Sequence, residues 1–568
     1  MNKKGFRVFI SSIAVLTLLI GVLAGCGSKS TDSTVGTTAA SEATTLAATE
    51  STKAEGSVDP IYDTSEPIRF TFYWSYKWKN VQKKFEETAI GQEIQKRMNA
   101  YIDVQSPGGD EATKLNLMIA SNSLPDVIMM DRNEQYKKLI DLGMLVELDP
   151  YFEKYPGYRT HVDPGTLNYA KVNGHIYSFL NWNTTPRSPS GNGGWMVNSK
   201  VYSDLGSPKL DTLDDLFKFL SDAKAKGIKV NGKDIIPLQL DPGNYWRGLY
   251  ELYFSFGGIG TVTTEDMCYV DGDKLKFLFQ DPKWQDAMVY TNKLWNAGLI
   301  NKDVFVETSQ QKDDKRDTGR IAVYTGPDCV NELRDGTNTW KKVDPTGSYQ
   351  MIEPPAGGGF DQSKIACAMY KTLGWNSICI TKNAKNPERI YQVIDWIASP
   401  EGQLLTFHGP KGILWDELDE NGYPIYKKTR SEMPQDEALS VGFEEYTNLC
   451  GMSEWVDKSK AAANAKLPPE KQDIVITNQA NITWKHSGNA TEFEGIFTDA
   501  NTPEGVAFLS VQAMVRKMIP QIVMAKDEGE CRKLLQEAID QAYKLKFDTV
   551  EAFKTKLWLE NKEKLSAN

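Results

Sequence analysis

From Ile68 to Asp131 the chain switches period repeatedly, and few folds accommodate that pattern. Ile68 to Trp74 (Ile-Arg-Phe-Thr-Phe-Tyr-Trp) is β-rich and partly alternating, which predicts a strand. Ala89 to Asn99 places Ile90, Ile94 and Met98 on one helical face. Tyr101 to Gln105 reads as a second strand, and Glu111 to Ala120 as a second helix with Leu115, Met118 and Ile119 inward. Pro125 to Met130 is a short buried strand ending at Asp131. Strand, helix, strand, helix, strand is the pattern of a parallel sheet wrapped by helices. Ligands of such sheets sit beyond the carboxyl ends of the strands. Trp74 to Trp78 and Asp131 to Asn133 therefore belong on the ligand side.

The rest of the chain supplies a second body. Val172-Asn173-Gly174-His175 reads as a tight turn. Thr212 is a helix cap with Asp215 three residues on, followed by the stripe Leu213, Leu216, Phe217 and Leu220, and Gly227 ends that helix. Gly319 to Tyr324 and Ser377 to Thr381 read as strands, and a helix opens at Asn386-Pro387 with Ile390, Val393, Ile394 and Ile397 inward. From Thr502 onward the chain is largely helical. Three turn-rich stretches interrupt these elements: Asn181 to Gly194, Glu353 to Gly359 and His408 to Gly412. Three crossings imply two lobes, neither continuous in sequence, that bend about the connections.

The amino terminus points outside the cytoplasm. Lys3, Lys4 and Arg7 precede an uncharged run from Phe9 to Leu23, which ends in Leu23-Ala24-Gly25-Cys26. This reads as a secretory leader, and the last four residues resemble a bacterial lipobox in which Cys26 becomes a lipidated terminus. Of the 30 residues from Ser28 to Ser57, 20 are Ser, Thr or Ala, a composition that cannot bury enough apolar surface to order itself. Without the leader's three basic residues the chain carries 62 basic against 75 acidic groups, a net of −13, which excludes nucleic acid as a partner. The six other cysteines form no Cys-x-x-Cys pair and are expected to be mostly buried thiols.

Enzyme signatures are missing. His161, His175, His408 and His486 lack metal-ligand spacing, and no Gly-x-Ser-x-Gly elbow or phosphate loop occurs. Glu417 to Gly422 imitates the start of a calcium loop, but its twelfth position is Lys428, so it reads as a hairpin turn. No catalytic residue, metal or cofactor is expected.

Four stretches carry a family resemblance: Leu115 to Asp126, Tyr136 to Tyr151, Gly319 to Pro327, and Asn386 to Trp415 with Ser399-Pro400-Glu401-Gly402 and His408-Gly409-Pro410-Lys411-Gly412. Together they resemble the extracellular solute-binding proteins of family 1, the sugar-capturing subunits of ABC importers, and within them the longer Gram-positive lipoproteins of the LplA-like group. The resemblance spans about Pro67 to Ile425, more loosely thereafter; the Pro-Ser-Gly-Asn stretch after Trp182 departs from it. It implies an α/β, periplasmic-binding-protein-like fold: two discontinuous α/β lobes joined by a hinge, with a helical C-terminal region. The expected boundaries are 1–25 leader, 26–65 lipidated cysteine and linker, 66–178 plus 352–412 for one lobe, and 179–351 plus 413–568 for the other. It implies a monomer anchored through Cys26 to the outer face of the cell membrane, which passes an oligosaccharide to ABC permease subunits without catalysis. A secreted glycan hydrolase, or a binder of peptides or another solute, are the alternatives at this stage.

Sugars present flat C–H patches and a rim of hydroxyls, which suit Trp and Tyr faces and Asp, Glu, Asn or Arg side chains respectively. Position selects Trp74, Tyr76 and Trp78 after the first strand, Asp131 after the third, Trp182 in the first crossing, Trp375 before the Ser377 strand and Trp415 after the third crossing. The turn-rich stretch holding Tyr245 and Trp246 is similar to one that supplies a stacking aromatic in maltose-type binders. Asp328 follows the Gly319 strand, where related proteins often carry a ligand aromatic, so stacking is expected from elsewhere.

Overall fold

The computed structural model describes residues 61–566, apart from 80, 187, 189, 242–247, 260–266 and 447–448. Cys26, Tyr245 and Trp246 lie outside the described residues.

Two sheets organise the fold. The first has five strands in the order Ala100–Gln105, Ile68–Trp74, Val127–Met130, Asn376–Ile380, Phe179–Asn181. The first three are parallel, as their helical connections require. Asn376–Ile380 runs antiparallel to both neighbours, pairing Ser377 with Met130 and Asn376 with Asn181. Alternation along the strands sorts side chains onto two faces. Phe70, Phe72, Trp74, Val127, Met129 and Ile378 enter one buried cluster, while Tyr73, Ile128, Met130 and Cys379 enter another.

The second sheet has the order Tyr349–Ile352, Gly194–Asn198, Ile321–Gly326, Ile236–Leu240. Ile321–Gly326 is parallel to Ile236–Leu240 and antiparallel to Gly194–Asn198. Its main core also takes in the C-terminal helices Pro503–Val523, Glu528–Lys544 and Phe547–Ser566 through Val511, Ile522, Leu535 and Trp558. Pro503–Val523 is long and apolar enough to cross a membrane by composition, yet its Val511, Ile522 and Val523 are buried in this core.

The helix signals read from the sequence match the structure. Ala89–Met98 buries Ile90, Ile94 and Met98, and Thr212 and Asp215 form a reciprocal capping box. One assignment needs correction. The boundary at 412 places the following stretch with the second lobe, but Leu414, Trp415, Val441, Phe443 and Met452 pack into the cluster around the first sheet. The turn at His408 to Gly412 thus returns the chain to the core it has just left. All six cysteines among the described residues are buried free thiols.

Candidate functional site

The antiparallel entry of Asn376–Ile380 builds the site. Parallel strands Ile68–Trp74 and Val127–Met130 end at one edge of the sheet, and the reversed strand begins there. The residues just after Trp74, just after Met130 and just before Asn376 are thereby brought together from distant parts of the chain. Tyr76 and Trp78 stack with ring centroids 5.5 Å apart and planes 25° from parallel. Trp375 lies 5.2 Å from Tyr76 and 6.3 Å from Trp78. Trp74 meets Trp78 edge-on at 5.9 Å.

Exposure separates the members of this cluster. Trp78 is 58% exposed and Trp375 44%, whereas Trp74 is fully buried. Large aromatics left open to water are costly, and here two of them share one shelf. Trp74 belongs to the floor beneath them, with the Lys79 ammonium 4.6 Å from its ring centre. Tyr76 is nearly buried and donates its hydroxyl to Asp131 Oδ1 at 2.8 Å. Burial, then the neighbouring Asp131 charge, raises the Tyr76 pKa, so this hydroxyl stays protonated. Asp131 keeps open surface, but the protein mass around its carboxyl strips away water and raises its pKa, against the pull of the Tyr76 hydrogen bond.

A buried ion pair sets the shelf's position. Arg132 donates Nη1 to the carbonyl of Asn376 at 2.8 Å and Nη2 to that of Gly374, gripping the residues on both sides of Trp375. Its Nε meets Glu494 at 3.0 Å, and Lys371 pairs with the same carboxylate. Burial opposes ionisation of Glu494, but Lys371 and Arg132 overcome it and hold the pKa down to about 2. Asn561, on the last helix, donates to the backbone carbonyls of Glu492 and Glu494, tying the C-terminal helices to the site. Gly374 has φ of +69°, and a Cβ there would come within 2.0 Å of the Asn181 carbonyl. Only glycine makes that turn.

The second sheet presents a polar counterpart at its own ligand-side edge. Gly326 pairs with Gly194, so the segment before one strand meets the segment after the other. Asn192 and Asn331 both donate to Asp328 Oδ1, at 3.2 and 2.7 Å, and Gln479 donates to Asn192. Although Asp328 retains open surface, crowding around its carboxyl pushes the pKa up to about 6.

Tyr76, Trp78, Trp375 and Asp131 thus come together, with Trp74 behind them. Asp328 stands in the separate polar cluster. Trp182 is half-buried, with positive φ, its N–H bonded to the Gly451 carbonyl and its ring on Phe407 beneath Lys460. Trp415 is a correction: it is a core residue whose Nε1 donates to the Gly409 carbonyl at 3.0 Å. The sequence reading placed Arg132 on the ligand side without a role and missed Glu494, Lys371, Asn192 and Gln479 altogether. Gly374 beside Trp375 was the one local hint; Glu494 lies too far along the chain to signal anything.

Comparison with known proteins identifies the family and the fold. The chain is 25% identical over 445 residues to the fructooligosaccharide ABC transporter substrate-binding protein FusA of Streptococcus pneumoniae, covering 75% of each. It is 25% identical over 514 residues to the polygalacturonan/rhamnogalacturonan-binding protein YtcQ of Bacillus subtilis, covering 88% of this chain and 92% of that one. Among solved structures, an HMO-binding, ABC-transporter-associated solute-binding protein from Bifidobacterium longum infantis superposes with a TM-score of 0.64 at 16% identity, covering 87% of this chain and 99% of that one, which shows the shared fold. The sequence pattern of one family matches residues 75–404, more than half of the chain, and the chain therefore belongs to the bacterial extracellular solute-binding proteins.

Proposed function

We propose that this protein captures an oligosaccharide on the shelf of Tyr76, Trp78 and Trp375 and delivers it unaltered to an ABC importer. The observation that carries the reading is the pair of exposed tryptophans set beside a carboxylate rim at the ligand-side edge of the first sheet. Stacked rings accept the C–H faces of sugars, and Asp131 accepts their hydroxyls. The polar cluster at Asp328 and Asn192 offers further hydroxyl partners from the second sheet. Relatives that carry fructooligosaccharides or pectic glycans support a carbohydrate. The leader and Leu-Ala-Gly-Cys motif support export and anchorage through Cys26 to the outer face of the membrane.

Ligand contacts from both sheets would favour a closed form, because only differential affinity shifts such an equilibrium. Micromolar capture requires about 8 kcal/mol, within reach of several stacked sugars and their hydrogen bonds. Calorimetry over a panel of oligosaccharides, followed by chromatography of the bound sugar, tests the proposal. Binding with recovery of intact sugar supports it; cleavage products, or peptides binding in place of sugars, contradict it.

A further inference from the structure

An aromatic shelf can receive charged or uncharged glycans, and the groups around it decide between them. A polyuronate brings one carboxylate per sugar and needs cationic donors where it lands. Among the described residues, Arg132, Lys371 and Lys79 beside this shelf are already engaged within the protein. Arg132 spends its guanidinium on Glu494 and on two backbone carbonyls. Lys371 is held by the same Glu494. Lys79 is buried, its ammonium over the Trp74 ring. Lys77 is the exception: its side chain is exposed at the rim of the shelf, with its charge near Asp110. What also faces outward is the carboxylate of Asp131, with Arg132 behind it and Glu111 near enough to add to its negative field. The second sheet's cluster also presents a carboxyl, with Asp328 accepting from the amides of Asn192 and Asn331 and Gln479 donating to Asn192 behind them.

We infer that the site selects uncharged oligosaccharides and rejects polyuronates, with Asp131 accepting sugar hydroxyls and repelling sugar carboxylates. The inference rests on the carbohydrate reading above. It follows from which charges are neutralised and which are left open, since like charges brought together across an interface cost more than stacking returns.

The test is calorimetric titration with nystose, xylotetraose, mannotetraose and galactotetraose on one side, and tetragalacturonate and tetramannuronate on the other. At low salt the best neutral sugar is expected to bind at least about tenfold more tightly than either uronate. The gap should narrow at about 0.5 M salt, where repulsion between exposed charges is screened. Asp131→Asn keeps an acceptor for the Tyr76 hydroxyl and removes the charge; it should strengthen uronate binding relative to neutral binding, which a merely structural role for Asp131 would not do. A uronate that binds as tightly as the best neutral sugar overturns the inference and leaves the carbohydrate reading standing, as does a gap that Asp131→Asn does not change. Failure of every sugar in both classes brings down the carbohydrate reading itself.

Discussion

The tryptophans of this protein sit in opposite surroundings, Trp78 and Trp375 open to water and Trp74 and Trp415 in the core. Trp78→Ala and Trp375→Ala should each weaken sugar binding by about threefold to tenfold, the value of one aromatic contact of 0.5–1.5 kcal/mol. Neither should shift the melting temperature much, because both rings are open to water. Trp74→Ala and Trp415→Ala remove buried rings and should cost about 3–5 kcal/mol of stability in denaturant titrations. Sequence position put Trp78 and Trp375 forward because each abuts a strand end, and both rings are exposed there. The same rule misled at Trp415, where a turn returns the chain to the core. His408 supplies a second residue-scale test. Both its ring nitrogens are engaged, by the Tyr426 and Ser459 hydroxyls, and burial followed by the Lys460 charge lowers its pKa from 6.5 to about 3. The unfolded chain therefore binds a proton here that the fold refuses. The stabilisation is complete above pH 6.5 and is lost as pH falls toward 3. His408→Gln should reduce the acid dependence of stability across that window, read from denaturant midpoints at several pH values. An unchanged slope would contradict this account.

At the level of elements, the site depends on a strand running against its neighbours. The alternation from Ile68 to Met130 made three parallel strands legible, because helical connections admit little else. The direction of Asn376–Ile380 was not legible, since a short buried run of apolar residues carries no sign of its partner or orientation. That reversal is what brings Trp375 to Tyr76. Arg132 then fixes the turn, so Arg132→Leu should destabilise by about 3–5 kcal/mol, leaving Glu494 buried with half its partners gone. Arg132→Lys should recover part of the stability but little of the affinity, because an ammonium cannot span the carbonyls of Gly374 and Asn376 while holding Glu494. Stability and calorimetric affinity measured on the same preparations separate the two effects; full recovery of binding in Arg132→Lys would argue against a positioning role.

At the scale of the whole molecule, the alternation of strands and helices and the family resemblance both pointed to an α/β fold, but the turn-rich stretch at His408 to Gly412 was not the crossing it resembled. The helices beyond Thr502 join the core of the second sheet, while residues around Leu414 to Met452 join that of the first, an interleaving that no local signal announces. The account's central claim is that the shelf of Tyr76, Trp78 and Trp375 is where a carbohydrate binds. It is tested most directly by calorimetry of the best-binding oligosaccharide against the wild type and the Trp78→Ala/Trp375→Ala double variant, with circular dichroism confirming an intact fold. The account predicts a loss of affinity of about tenfold to a hundredfold in the double variant, with melting unchanged. Equal affinity in the two proteins would contradict it.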